Sequence, residues 1–149
     1  MAGYGVFAQV YDKLTLNVPY DQIAEYYDAK IRKFRDGDGN FLADAGCGTG
    51  NLTARLARLG YDVIGAEPSP DMLSEAMNKP HDGVQYICQD MTELDLYGEA
   101  DIIVSTLDSV NHLSSAADIT KFFRAAALNL RRGGLLLFDF NTIYKHEKV

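Results

Sequence analysis

Three glycines alternate in the stretch FLADAGCGTGN (residues 41–51): Gly46, Gly48 and Gly50. A backbone that carries no side chain at alternate positions can turn sharply and come close to a ligand. The spacing is G-x-G-x-G, whereas the dinucleotide-binding turn reads G-x-G-x-x-G. Asp44 stands two residues before the first glycine. A carboxylate there repels a pyrophosphate and attracts the ammonium of an amino acid. Glu67, seventeen residues after Gly50, is placed to accept both hydroxyls of a ribose. Asp90, in ICQDM, can accept the exocyclic amine of an adenine, with Met91 and Met72 offering apolar contact to the ring. Ligands of open parallel sheets bind outside the carboxyl edge, so three acids at three successive strand ends form one pattern.

Other reactive side chains are fewer. After the fourth apolar run comes TLDSVNH (residues 106–112). There His112 can take a proton from a hydroxyl or ammonium acceptor, because histidine titrates near neutrality; it can equally cap or pack a short helix. Asp108 can fix a positive or hydroxylic substrate. Cys47 lies among the glycines with no base recognisable beside it, and reads as a small packing residue. His81 and His146 sit in polar contexts. Five tyrosines, Tyr4, Tyr11, Tyr20, Tyr26 and Tyr27, gather near the amino end. They suit either an aromatic lid that attracts a cation or the packing of two helices.

The elements that must position these groups follow from periodicity. YDQIAEYYDAKIRKF (residues 20–34) repeats its apolar residues at three- and four-residue steps and ends in cations, which predicts a helix; RDGDGN then stops it. A shorter helix is expected over 6–14. Strands are expected at 41–43, 62–66, 84–88, 101–106 and 135–140. Helices are expected at 52–59, from Ser69-Pro70-Asp71 onward, and at 115–130, where Ser115 and Asp118 have capping-box spacing and the RRGG run closes the helix. Residues 90–100 carry no clear pattern. Alternation of helices with near-continuously apolar strands predicts an α/β fold, a parallel sheet covered on both faces.

With these residues in hand, the chain resembles the class I S-adenosylmethionine-dependent methyltransferases, in a small-molecule-type bacterial branch. The matching stretches are DAGCGTG (44–50), EPS (67–69), QDM (89–91) and LNLRRGGL (128–135), with VYDKL near the start and LDSVNHL after strand four. The resemblance implies a three-layer, Rossmann-like sheet of order 3-2-1-4-5, with residues 1–37 as a helical cap or lid and 38–149 as the cofactor-binding core. It implies S-adenosyl-L-methionine as cofactor. Asp44, Gly46, Gly48 and Gly50 then hold its methionine part, Glu67 the ribose and Asp90 the adenine amine, with Tyr11 near the sulfonium and Pro68, Met72, Met91 and Leu107 as further cofactor-binding residues. The family sheet usually has seven strands. This chain stops soon after the fifth, so its substrate half is expected to be incomplete, as in a fragment or a divergent short form.

Composition bounds the rest. The 149 residues carry 14 Lys+Arg against 21 Asp+Glu, a net charge of −7, which disfavours a nucleic-acid partner that needs a basic stripe. No apolar run approaches the ~18 residues of a membrane span. Two cysteines, Cys47 and Cys88, without companion ligands argue against a metal site or disulfide framework and for a reducing cytoplasm. The expected function is methyl transfer to a small-molecule acceptor. Its rivals are a non-catalytic module that binds the cofactor or a partner chain, and a nicotinamide-dependent oxidoreductase. The apolar fifth strand, at a sheet edge, is expected to pair with a second copy or with the rest of a longer chain.

Overall fold

The computed structural model describes residues 18–80, 83–106, 110, 113 and 115–139. Helix α1 (Tyr20–Phe34) leads into strand β1 (Phe41–Ala45), helix α2 (Asn51–Arg58), strand β2 (Asp62–Ala66), helix α3 (Pro70–Met77) and strand β3 (Gln85–Ile87). A 3-10 turn (Met91–Glu93), strand β4 (Ala100–Ser105), helix α4 (Ala116–Asn129) and strand β5 (Leu130–Phe138) complete it. The five strands form one sheet of order β3-β2-β1-β4-β5. Every pairing is parallel, as expected where each connection crosses over through a helix.

The strands explain themselves by which face each residue takes. Leu42, Val63, Ile102 and Val104 turn to one side, where they pack with Tyr20, Ala24, Tyr27 and Ile31 of α1 and Leu52 and Leu56 of α2. Ala43, Ala45, Ala66 and Ile103 turn to the other, against Phe122, Ala125 and Ala126 of α4 and Met91, Leu94 and Leu96. Within the expected lid, 1–37, the described helix thus supplies four side chains to the core. Of the tyrosines near the amino end, Tyr20 and Tyr27 are buried, whereas Tyr26 is exposed and meets Tyr27 edge-on.

Caps appear where the sequence put them. Ser69 accepts from the Met72 N–H ahead of Pro70, and Ser115 accepts from the Asp118 N–H. One boundary differs. The RRGG run does not separate α4 from a strand starting at residue 135, because β5 already begins at Leu130, opposite Ala100. The next paired residues are Ile102 and Leu135, so residues 131–134 bulge out of the ladder. Gly133, at φ 82°, allows the turn, and the Arg131 guanidinium anchors it on the Asp101 carboxylate at 2.6 Å. Periodicity could not reveal this, since the bulge is held by an ion pair between strands. The unpatterned link 90–100 contains the 3-10 turn capped by Asp90. It is tied to α4 by Asn129, whose amide reaches Leu94 O and Leu96 N.

Candidate functional site

Parallel strands deliver their last residues to one edge of the sheet, and the glycine turn lies there. The N–H groups of Gly46 and Cys47 both donate to Ala66 O at the end of β2, which folds the turn across β1 and β2. Gly46, Gly48 and Gly50 have φ of 78°, 59° and 80°, a region that side chains make costly. The glycines differ in what surrounds them. Among the described residues a Cβ on Gly48 would meet nothing within 4 Å, whereas one on Gly50 would run into the Tyr86 hydroxyl and Ala76. Gly48 is therefore open toward a ligand, and Gly50 is required by packing.

Asp44 is the penultimate residue of β1, beneath the turn, and is 1% exposed. Its Oδ2 accepts from the Thr53 hydroxyl at 2.8 Å. Its Oδ1, also buried, has no hydrogen-bond partner among the described residues. Burial pushes its carboxyl up to about 7; the Thr53 bond opposes this and the charge of Glu67 adds to it. Burial likewise pushes the Cys47 thiol up, so it is no ready nucleophile.

Glu67, just past β2, holds two backbone donors: Gly48 N–H on Oε1 at 3.0 Å and Ser69 N–H on Oε2 at 2.9 Å. One carboxylate thus ties the glycine turn to the start of α3. Pro68 beside it is exposed, and Met72 is buried in the first turn of α3. Asp90 is exposed beyond β3, and its Oδ1 accepts from Thr92 N–H and the Thr92 hydroxyl. Met91 is buried in the α4-side cluster. The structure therefore gathers Asp44, Gly46, Gly48, Gly50, Glu67, Pro68, Met72, Asp90 and Met91 at or beside the carboxyl ends of β1, β2 and β3. Tyr11, Leu107, Asp108 and His112 lie outside the described residues, as do His81 and His146.

Asp139, also at this edge, was not singled out from sequence. Asp139 follows β5, and its Oδ2 accepts from the Tyr27 hydroxyl of α1 at 2.8 Å. Its N–H donates to Ser105 O at the end of β4. Thr106 is buried after β4. The Tyr27 hydroxyl is pushed up by burial first, then by Asp139, with Tyr26 and Asp44 contributing, so the ring lies within the field of both acids. Asp139 occupies the same strand-end position as the other acids, which was the available signal. The pairing of Tyr27 with it gave none, since the two are 112 residues apart. Among the described residues no group of three His, Cys, Asp or Glu side chains could hold a metal ion, and no helix is long and apolar enough to cross a membrane.

Comparison with known proteins agrees with this arrangement. Residues 42–134 match a family model described as a methyltransferase domain. A protein of Geobacillus sp. (strain WCH70), assigned by name to the methyltransferases, is 33% identical over 149 residues, covering 98% of this chain and 60% of its own length. The crystal structure of an S-adenosylmethionine-dependent methyltransferase from Clostridium acetobutylicum ATCC 824 superposes with a TM-score of 0.77. It shares 34% identity and covers 95% of this chain and 59% of that one. The amino pentose methyltransferase CalS10 from Micromonospora echinaspora, solved with S-adenosylmethionine bound, gives a TM-score of 0.80 at 28% identity, over 89% and 56% of the two chains. The chain spans about three fifths of the length of these relatives.

Proposed function

Because the chain belongs to the methyltransferase-domain family, we propose that it binds S-adenosyl-L-methionine along the carboxyl edge of β3, β2 and β1 and serves methyl transfer to a small-molecule acceptor. The observation that carries this reading is Asp44, a buried acid whose Oδ1 has no partner among the described residues, directly beneath a glycine turn that is open at Gly48. An ammonium is the group such an oxygen needs. The residues present fit the ligand in other ways. Glu67 keeps its carboxylate at the turn while each oxygen, already accepting one N–H, retains acceptor capacity for a ribose hydroxyl. Asp90, exposed one strand further, suits the adenine amine. Bound here, the cofactor supplies an activated methyl group on a sulfonium, which a nucleophile takes up as the carbon–sulfur bond breaks and its electron pair stays on sulfur.

The work left to the protein is orientation, which can supply ~7–11 kcal/mol of the barrier. Rigid strand ends and a pinned turn suit that task. We carry the division into an N-terminal lid (1–37) and a cofactor core (38–149) as part of this proposal, with α1 as the inner wall of the lid. Tyr11 and Leu107 are proposed to line the cofactor site, and Asp108 and His112 to serve the acceptor from the rim after β4. A cytoplasmic setting and a β5 edge that pairs with a second copy or with further strands belong to the same reading. Isothermal titration tests it: S-adenosylmethionine or S-adenosylhomocysteine binds, while NAD and ATP are silent. Comparable binding of NAD would overturn it.

A further inference from the structure

The three acids of β1, β2 and β3 account for one half of the carboxyl edge. The ends of β4 and β5 remain, and the structure furnishes them with Thr106 and Asp139. Alternation settles which side they serve. Leu135 and Leu137 of β5 pack with the α1-side cluster, and Asp139 continues that parity to meet Tyr27 of α1. Asp44 shares the face, bonded to Thr53 of α2. Asp44 and Asp139 therefore stand two strands apart on one side of the sheet, a lateral separation of roughly 10 Å at ~4.8 Å per strand.

That geometry has a consequence for the acceptor, which rests on the cofactor reading above. A ligand reaching from Asp90 through Glu67 to Asp44 covers the ends of β3, β2 and β1. Among the described residues, the side left over for an acceptor lies across β4 toward β5. Asp139 borders that approach, half-buried, fixed by a hydroxyl from α1 and by its own N–H on Ser105 O. A carboxylate held on one oxygen by a hydroxyl, on a residue whose backbone N–H is also bonded, is a good anchor, because the ordering it needs precedes binding. Besides the buried Asp44, three carboxylates, Glu67, Asp90 and Asp139, line the carboxyl edge of a chain whose net charge is already −7. An anionic acceptor would be repelled and a cationic one drawn in. We propose that Asp139, oriented by Tyr27, is the acceptor-binding carboxylate, and that the acceptor it selects is a primary or secondary amine, which binds as its ammonium and releases one proton to solvent before its nitrogen lone pair takes the methyl group.

The test uses protein saturated with S-adenosylhomocysteine, titrated with benzylamine and with its neutral counterpart benzyl alcohol. The amine is expected to bind at least tenfold more tightly than the alcohol. Asp139→Asn, nearly isosteric, should erase that preference while S-adenosylhomocysteine affinity stays within about twofold. Tyr27→Phe, which removes only the hydroxyl, should reduce the preference in part. A purely structural Tyr27–Asp139 contact would lower the melting temperature of both variants and leave the amine preference intact. That result, or equal binding of amine and alcohol to the unaltered protein, would overturn the proposal. Failure of S-adenosylhomocysteine to bind would overturn the methyltransferase reading itself, and this inference with it.

Discussion

Replacing Asp44 by Asn probes the most unusual group in the site. The carboxyl's ordinary value of 3.8 is raised to about 7 in the folded chain, burial being the largest cause. Each pKa unit is worth 1.36 kcal/mol, so ionising Asp44 in the folded state costs ~4 kcal/mol. The folded state binds this proton more tightly than the unfolded state does. Asp44 therefore contributes its full stability below about 3.8, and that contribution is lost as pH rises toward about 7, with a flat profile beyond. Asparagine cannot ionise and keeps an acceptor for the Thr53 hydroxyl, at a cost of about 1–3 kcal/mol for an unpaired amide. Measured by urea unfolding, stability of the unaltered protein relative to Asp44→Asn should fall by about 3 kcal/mol between pH 5 and pH 8. At pH 8 the variant should be the more stable protein and the weaker binder of S-adenosylhomocysteine. An ammonium that ionises Asp44 on binding must displace its proton, so ligand affinity should also weaken about tenfold per pH unit below about 7. A stability difference that stays constant from pH 5 to pH 8 would refute the argument, because the raised value would then not belong to this carboxyl.

Other consequences follow from the same edge. Gly48→Val should abolish S-adenosylhomocysteine binding by titration, while costing only ~1–2 kcal/mol of stability for a side chain at φ 59°, since none of the described residues lies within 4 Å of its Cβ. Glu67→Ala removes the acceptor of two backbone N–H groups. It should therefore lower ligand-free stability by about 1–3 kcal/mol as well as ligand affinity, whereas Glu67→Gln should lose affinity at least tenfold with a smaller change in melting temperature. Strand β5, whose residues Leu135 to Phe138 are half-buried at the sheet edge, should self-associate in light scattering, with slow hydrogen exchange over those residues; a stable monomer with rapid exchange there would exclude pairing.

Much of this was legible from one dimension. A strand end is marked in sequence wherever an apolar run meets glycine or an acid, so DAGCGTG, EPS and QDM announced the ends of β1, β2 and β3; the parallel pairing of the sheet followed from the alternation of elements, and its strand order from the family resemblance. Side-chain types at fixed offsets determine caps and turns, because those bonds span two or three residues, as at Ser69 and Ser115. The tertiary structure decided whatever depends on partners far apart in the chain. The bulge at residues 131–134 hangs on Asp101, some 30 residues earlier. Glu67 is a brace of the glycine turn as well as a candidate ribose acceptor, because folding brings Gly48 and Ser69 to the same carboxylate. Asp44 acquires its raised pKa from burial in the folded chain, which outweighs the lowering effect of the Thr53 hydroxyl, a desolvation that no neighbouring residue type encodes. The pairing of Tyr27 with Asp139 joins a helix before the first strand to the end of the fifth, and only the closing of the sheet under α1 brings them within a hydrogen bond.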